Sequence, residues 1–323
     1  MYRRISAIVA STLIAFVIIA FMLLRVWNDL LAALEHIVLA YLAIAVIICL
    51  FAWWLRGLRY KSILGSIGIR VSTAFSTASI FVSQTANLIV PARLGDLVRV
   101  FILKHEYQAT YSQGISSLVV ERLFDIIMVA LLGVISLPFV LNVPDWFYLV
   151  IVLPLIIGGI FFGVLLFIGR MRTENRYISF ILTMLEEVRK ASLTLRAIIL
   201  LSISSLIIWL LDAGVCAAIA LMFGQDIPFL IIVLAIVIGN LVKAIPLTPG
   251  GVGTYELALA VTFSLVGVAP AIATLIAVID HLVKNLVTLA GGIISIYFFG
   301  DWVVAVMKKA YKKELRGDAT AGD

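Results

Sequence analysis

Residues 112–141 read SQGISSLVVERLFDIIMVALLGVISLPFVL. About 20 helical residues cross roughly 30 Å of hydrocarbon, so this run is long enough to span a bilayer. Three charges, Glu121, Arg122 and Asp125, nevertheless stand inside it. A charge at the bilayer centre costs roughly 3 kcal/mol on insertion scales, so ionisable groups there face a partner or a wet cavity. The stretch therefore predicts an all-α polytopic membrane protein with a polar site among its helices.

Composition agrees. Of the 323 residues, 63% are hydrophobic and only 13% charged, and the mean hydropathy is +1.19. Soluble domains are near half apolar and a quarter charged, which excludes a water-soluble globule, a disordered chain and a disulfide-stapled module. The net charge of +6 does not point to nucleic acid, because the basic residues sit in short segments between apolar runs. Cys49 and Cys216 lie inside such runs, with no CxxC and no Cys/His cluster, so no metal site or cofactor is expected.

Six full spans are predicted: 5–24, 37–55, 112–141, 146–169, 198–223 and 271–299. Two weaker apolar segments cover 71–90 and 229–245. Of the 24 Lys and Arg, 17 fall at the N-terminus, in 56–70, in 170–196 and in the C-terminal tail, whereas the alternate segments hold only Arg25. The positive-inside rule then places both termini in the cytoplasm of a multi-pass plasma-membrane protein. Residues 170–196 form a linker with an amphipathic helix on the cytoplasmic surface, its apolar face carrying Ile178, Ile181, Leu182, Leu185 and Val188. The topology closes only if 71–103 and 229–267 each return to the side they entered, as re-entrant hairpins or pairs of short spans.

The chain reads as one transmembrane domain with a basic tail at 300–323 and two similar halves, 37–141 and 196–299. Glu121-Arg122-Leu123-Phe124-Asp125 aligns with Asp280-His281-Leu282-Val283-Lys284 at an offset of 159 residues, and Pro91-Ala92-Arg93-Leu94-Gly95 with Pro249-Gly250-Gly251-Val252-Gly253 at 158. The orientation count inverts one half relative to the other. Such repeats in transporters put the substrate site at their interface, where broken helices expose half-helix ends.

Glu121 and Asp125, at i and i+4, share a helix face and repel unless a cation or a proton intervenes. Arg122 lies about 100° around the helix and cannot serve both, which leaves Arg93 or Arg99 as partner. Asp280 and Lys284 form a self-satisfying i, i+4 pair, and His281 beside them titrates near neutrality in an ordinary setting. The turn Pro249-Gly250-Gly251-Val252-Gly253-Thr254-Tyr255-Glu256 opens an apolar helix. Together with Lys243 it offers backbone amides and positive charge to a phosphate, or it simply breaks a membrane helix. The expected head-group contacts are Arg93, Arg99, Arg122, Lys243, Gly250, Gly251, Gly253 and Glu256. Asp96, Glu121, Asp125, Asp280, His281 and Lys284 are the candidates for proton relay or gating. Structural ion pairing is the alternative for the whole set.

The stretches at 91–99, 121–125 and 249–256 together resemble the lysylphosphatidylglycerol synthase transmembrane-region family, whose members are often labelled flippase-like. The resemblance runs from about residue 5 to 300. Ala92 and Asp96 stand where the family pattern leads one to expect Gly and Glu. The family implies a module that flips aminoacylated phospholipid beside a synthetase domain, or that accompanies glycosyltransferases acting on polyprenyl-phosphate sugars. The tail after Phe299 leaves no room for either soluble domain, so the expectation is a stand-alone membrane module. It would translocate an anionic or aminoacylated phospholipid, or a polyprenyl-phosphate-linked lipid, with membrane lipids as its partners. A second possibility is an accessory subunit of a separate lipid-modifying enzyme, or an enzyme in lipid-linked glycan or phospholipid modification. No HExxH, GxSxG or Cys/His pair supports catalysis, and no catalytic residue is assigned. A third is a scaffold in which the buried charges serve stability alone.

Overall fold

Long apolar runs bounded by Gly, Pro and capping residues become helices, because only intra-segment hydrogen bonds satisfy the backbone away from water. A computed structural model describes residues 17–22, 24, 38–89, 94–139, 144–168, 175–245, 248–300 and 302–303. Among them there is no strand. Among the described residues the helices include α1 (Leu39–Ser66), α2 (Thr73–Ile89), α3 (Asp96–Tyr107), α4 (Tyr111–Ser136), α5 (Asp145–Ile168), α6 (Arg176–Ser192), α7 (Leu195–Met222), α8 (Phe229–Ala244), α9 (Thr254–Leu265) and α10 (Pro270–Phe299). The expected first span at 5–24 and the tail beyond 303 lie largely outside the described residues.

Helices α1, α5, α7 and α10 are long and apolar enough to cross a membrane. Helix α4 has comparable length, 26 residues, but carries the three charges. The weak segments become α2 and α8, of 17 and 16 residues. Each leads through a turn into a 12-residue helix, α3 or α9. At 1.5 Å per residue none of these four matches a full hydrocarbon thickness.

Local signals set the helix starts. The Thr110 hydroxyl accepts from the Gln113 N–H while the Gln113 side chain accepts from the Thr110 N–H, a reciprocal cap for α4. Asn175 caps α6 and Thr194 caps α7 in the same position. Helix α6 buries Val188 and Ala191 against the bundle and leaves Ile178 and Ile181 exposed, so only its C-terminal half packs as the amphipathic pattern predicts.

The order long, short, short, long occurs twice: α1–α2–α3–α4 and α7–α8–α9–α10. Packing is reciprocal between the two sets. Helix α1 lies along its counterpart α7, α2 packs on α10, and α8 packs on α4. Helices α1 and α7 run antiparallel: the Val38 N–H donates to the Met222 carbonyl at 3.1 Å, and farther along Arg56 meets Asp212 and Arg59 meets Ser205. On the α2–α10 contact Thr85 donates to the Thr288 carbonyl at 3.0 Å. Gly292 stands against the Thr85 side chain, where any larger residue would collide.

One expectation is overturned. Residues 56–70 read as a basic loop following a span that ended at Leu55. Helix α1 instead continues to Ser66, and Arg59 is only 2% exposed. Carboxylates on α4 and a hydroxyl on α7 receive its guanidinium, which removes the cost that made a loop the natural reading.

Candidate functional site

Two charged clusters flank the contact between the halves. In the first, Arg59 Nη1 donates to Asp125 Oδ1 at 2.5 Å and to the Ser205 hydroxyl at 2.6 Å, while Nη2 reaches Asp125 Oδ2 at 3.1 Å and Glu121 at 3.4 Å. Arg99 donates to the other Glu121 oxygen at 2.5 Å and stacks its guanidinium 4.8 Å from the Tyr60 ring centre. Arg56 donates to Asp212 at 2.6 Å. Three arginines thus take three carboxylates, and these bonds tie α1, α3, α4 and α7 together. Asp96 is held otherwise: one of its oxygens accepts from Ser83 at 3.1 Å, Gln84 at 3.1 Å and Asn87 at 2.9 Å, joining the start of α3 to α2.

Arg122 differs from its neighbours. It approaches Asp96 at 3.7 Å, Glu121 at 3.8 Å and Asp125 at 4.0 Å, beyond hydrogen-bond range, and its side chain is 31% exposed. It hydrogen-bonds neither Glu121 nor Asp125, and Arg99 and Arg59 take those two carboxylates instead.

The second cluster lies on α8, α9 and α10. Lys284 donates to Asp280 at 2.9 Å, and Tyr255 donates to the same oxygen at 2.7 Å. His281 Nδ1 is 2.7 Å from Glu256, and its Nε2 is 3.0 Å from Lys243 Nζ. An ammonium has donors only, so Nε2 accepts and Nδ1–H donates to the carboxylate. The other Glu256 oxygen accepts the Gly253 N–H at 2.7 Å, closing the start of α9. Gly250, Gly251 and Gly253 have φ of 62°, 77° and 85°, a region that costs any other residue about 1–2 kcal/mol. At Gly251 a side chain would also press into Lys243, its Cβ 2.5 Å from Lys243 Cγ.

Between the clusters lies a cavity of about 250 Å³. Helices α1, α2, α4, α7, α8 and α10 and the Gly250–Gly251 turn line it. Arg56, Arg122, Lys243 and Lys284 face it, with Glu121, Asp125 and Asp212. Gln84, Asn87, Asn240 and Asn285 add carboxamides, and Trp53, Ile80, Val129 and Trp209 add apolar surface.

Of the residues singled out from sequence, Arg122, Lys243, Gly250, Gly251, Glu121, Asp125 and Lys284 meet at this cavity. Arg99, Asp96, Gly253, Glu256, Asp280 and His281 do not line it; they stand behind, bonded to residues that do or holding the broken helices. Arg99 and Asp280 are fully buried. Arg93 lies outside the described residues. Arg56, Arg59 and the four carboxamides escaped the sequence reading. For the arginines the signal was available: at i and i+3 they continue the face of an apolar helix. Among the described residues no group of acids, Cys and His is arranged to hold a metal ion.

The chain is 32% identical to the glycosyltransferase AglD of Haloferax volcanii, over 90% of this chain and 54% of that protein. It therefore spans about half the length of that curated relative. It is also 29% identical to a UPF0104 membrane protein of Methanocaldococcus jannaschii, over 72% of this chain and 98% of the relative. A third relative, a UPF0104 membrane protein of Methanothermobacter thermautotrophicus, is 22% identical over 81% of this chain and 86% of its own. No solved structure matches. The family model described as Lysylphosphatidylglycerol synthase TM region matches residues 8–292, and with its apolar helices and paired buried charges the chain belongs to that family of membrane proteins.

Proposed function

We propose that the protein translocates a lipid bearing a phosphate head group between leaflets, the head group passing through the cavity while the hydrocarbon chains stay in the bilayer. The observation that carries this reading is a partly open, charge-lined cavity between two halves whose outer faces are apolar. In hydrocarbon a phosphate needs compensating charge and hydrogen-bond donors along its whole route. Arg122, Lys243 and the Gly250–Gly251 turn supply both. Glu121, Asp125, Asp280, His281 and Lys284 act as the hinge of paired charges that rearranges when the cavity changes the side to which it opens.

Reconstitution into liposomes tests this. Head-group exposure is followed leaflet by leaflet for phosphatidylglycerol and for a polyprenyl phosphate. The folded protein is expected to accelerate exchange of at least one of them over protein-free liposomes, and Arg122→Gln and Lys243→Gln to slow it about tenfold or more. Folded protein without any acceleration rejects the reading.

A second reading is favoured by the likeness to the Haloferax glycosyltransferase. In it the module serves as the membrane partner of a separate lipid-modifying enzyme in lipid-linked glycan assembly. A labelled lipid product that needs both proteins, with no leaflet exchange by this one alone, would favour it.

A further inference from the structure

Resting on the translocase reading, we infer that the cavity selects head groups that combine a phosphate with neutral hydroxyls, and disfavours those carrying an ammonium. Three observations converge. The first is how charge is matched around the cavity. Each carboxylate that lines it already holds an arginine at hydrogen-bond distance: Glu121 with Arg99, Asp125 with Arg59, Asp212 with Arg56. A cationic head group would have to share a carboxylate with a guanidinium, beside Arg122, Lys243 and Lys284, and like charges that close are costly in a low-dielectric setting.

The second is the position of Arg122. It lines the cavity and holds no carboxylate closer than 3.7 Å. Its planar fork suits a phosphate in bidentate geometry. A phosphate there would add direct hydrogen bonds to a guanidinium that otherwise makes only long contacts to Asp96, Glu121 and Asp125, without dismantling any closer pair.

The third is the carboxamides. Asn285 lines the cavity, and its side chain makes no hydrogen bond among the described residues. Asn240 spends its amide N–H on the Ile236 carbonyl at 2.8 Å and keeps its oxygen as an acceptor. An amide offers both donor and acceptor and carries no charge, which matches a hydroxyl better than an ammonium or a bare phosphate. Sites that hydrogen-bond a substrate hydroxyl reject analogues lacking it, because the site's own polar groups are then left unpaired.

A glycerol, an inositol and a sugar on a lipid phosphate all share this chemistry. Binding to the purified full chain in detergent separates them. The probes are short-chain phosphatidylglycerol, phosphatidylinositol and a short-prenyl phosphohexose, against lysyl-phosphatidylglycerol and phosphatidylethanolamine of matched chain length. At least one hydroxyl probe is expected to bind about tenfold tighter than both ammonium probes, and which one does so identifies the source. Asn285→Ala should weaken binding of the preferred hydroxyl probe about threefold or more and leave affinity for a plain short-chain phosphatidic acid within about twofold. Ammonium probes that bind as well as or better than every hydroxyl probe overturn the inference, as does folded Asn285→Ala protein that binds the hydroxyl probe as tightly as the parent. Binding is scored apart from leaflet exchange. Selective binding with no exchange rejects the translocase reading alone; exchange of an ammonium lipid with the reverse binding order rejects the selectivity alone.

Discussion

Arg59 and Asp125, 66 residues apart in sequence, form a buried two-pronged pair with Nη1–Oδ1 at 2.5 Å and Nη2–Oδ2 at 3.1 Å. The pair fastens α1 to α4, and through Ser205 to α7. Breaking a buried pair from one side leaves an uncompensated charge and costs about 3–5 kcal/mol, whereas replacing both partners by apolar groups is often neutral. Arg59→Ala should therefore lower thermal stability in detergent sharply, and Arg59→Met with Asp125→Leu should recover most of it. A single variant as stable as the parent would show that the pair is not closed in solution.

Gly251 keeps the turn against Lys243. Gly251→Ala adds the left-handed penalty of about 1–2 kcal/mol and a Cβ that meets the lysine stem. Lys243 must move away from His281, so leaflet exchange should fall well below that of the parent while the melting temperature drops by only a few degrees. Unchanged exchange would detach the turn from the route.

Tyr255 donates to Asp280 at 2.7 Å. Hydrogen bonds to charged groups contribute about 1.5–3 kcal/mol. Tyr255→Phe should lose that much stability in denaturant titration, and Lys284→Met more, because Asp280 then keeps no cation. The opposite order would place the charge of Asp280 elsewhere.

The distribution of Lys and Arg predicts which ends of the helices face the cytoplasm. With Cys49 and Cys216 replaced by Ala, Asp226→Cys should react with a membrane-impermeant thiol reagent in intact cells. Tyr177→Cys, 81% exposed in the parent, should react only after lysis. Both reacting from one side would break the predicted crossing of α7.

Much of the architecture was legible from hydrophobic run length. The spans at 37–55, 146–169, 198–223 and 271–299 fall on α1, α5, α7 and α10, because an uninterrupted apolar run has no alternative to a helix in lipid. The shortened α2 and α8 were legible as weak segments, and the ion pair of Asp280 with Lys284 from i, i+4 spacing. The extension of α1 was not. Arg56 and Arg59 find their acids 156 and 66 residues away, and a basic stretch without those partners in view looks the same as a cytoplasmic loop. The cavity's carboxamides were invisible for a related reason: Asn240 and Asn285 belong to different helices, and no spacing joins them. Arg93 and Arg99 were both open as partners of the Glu121 and Asp125 pair; the complete burial of Arg99 takes it off the cavity surface, which only the packing of Tyr60 over it reveals.

The proposed route requires a lipid head group to enter the cavity between the two halves. A phospholipid with a photo-activatable diazirine on its head group, added to the protein in liposomes and cross-linked by light, reads this directly when adducts are mapped by mass spectrometry. Adducts are expected within Glu121–Val129 of α4 and Asn240–Ala244 at the end of α8, and Arg122→Gln should deplete them. Adducts confined to outward-facing positions such as Ile156 and Ile160 of α5, with none in those two segments, would contradict the account.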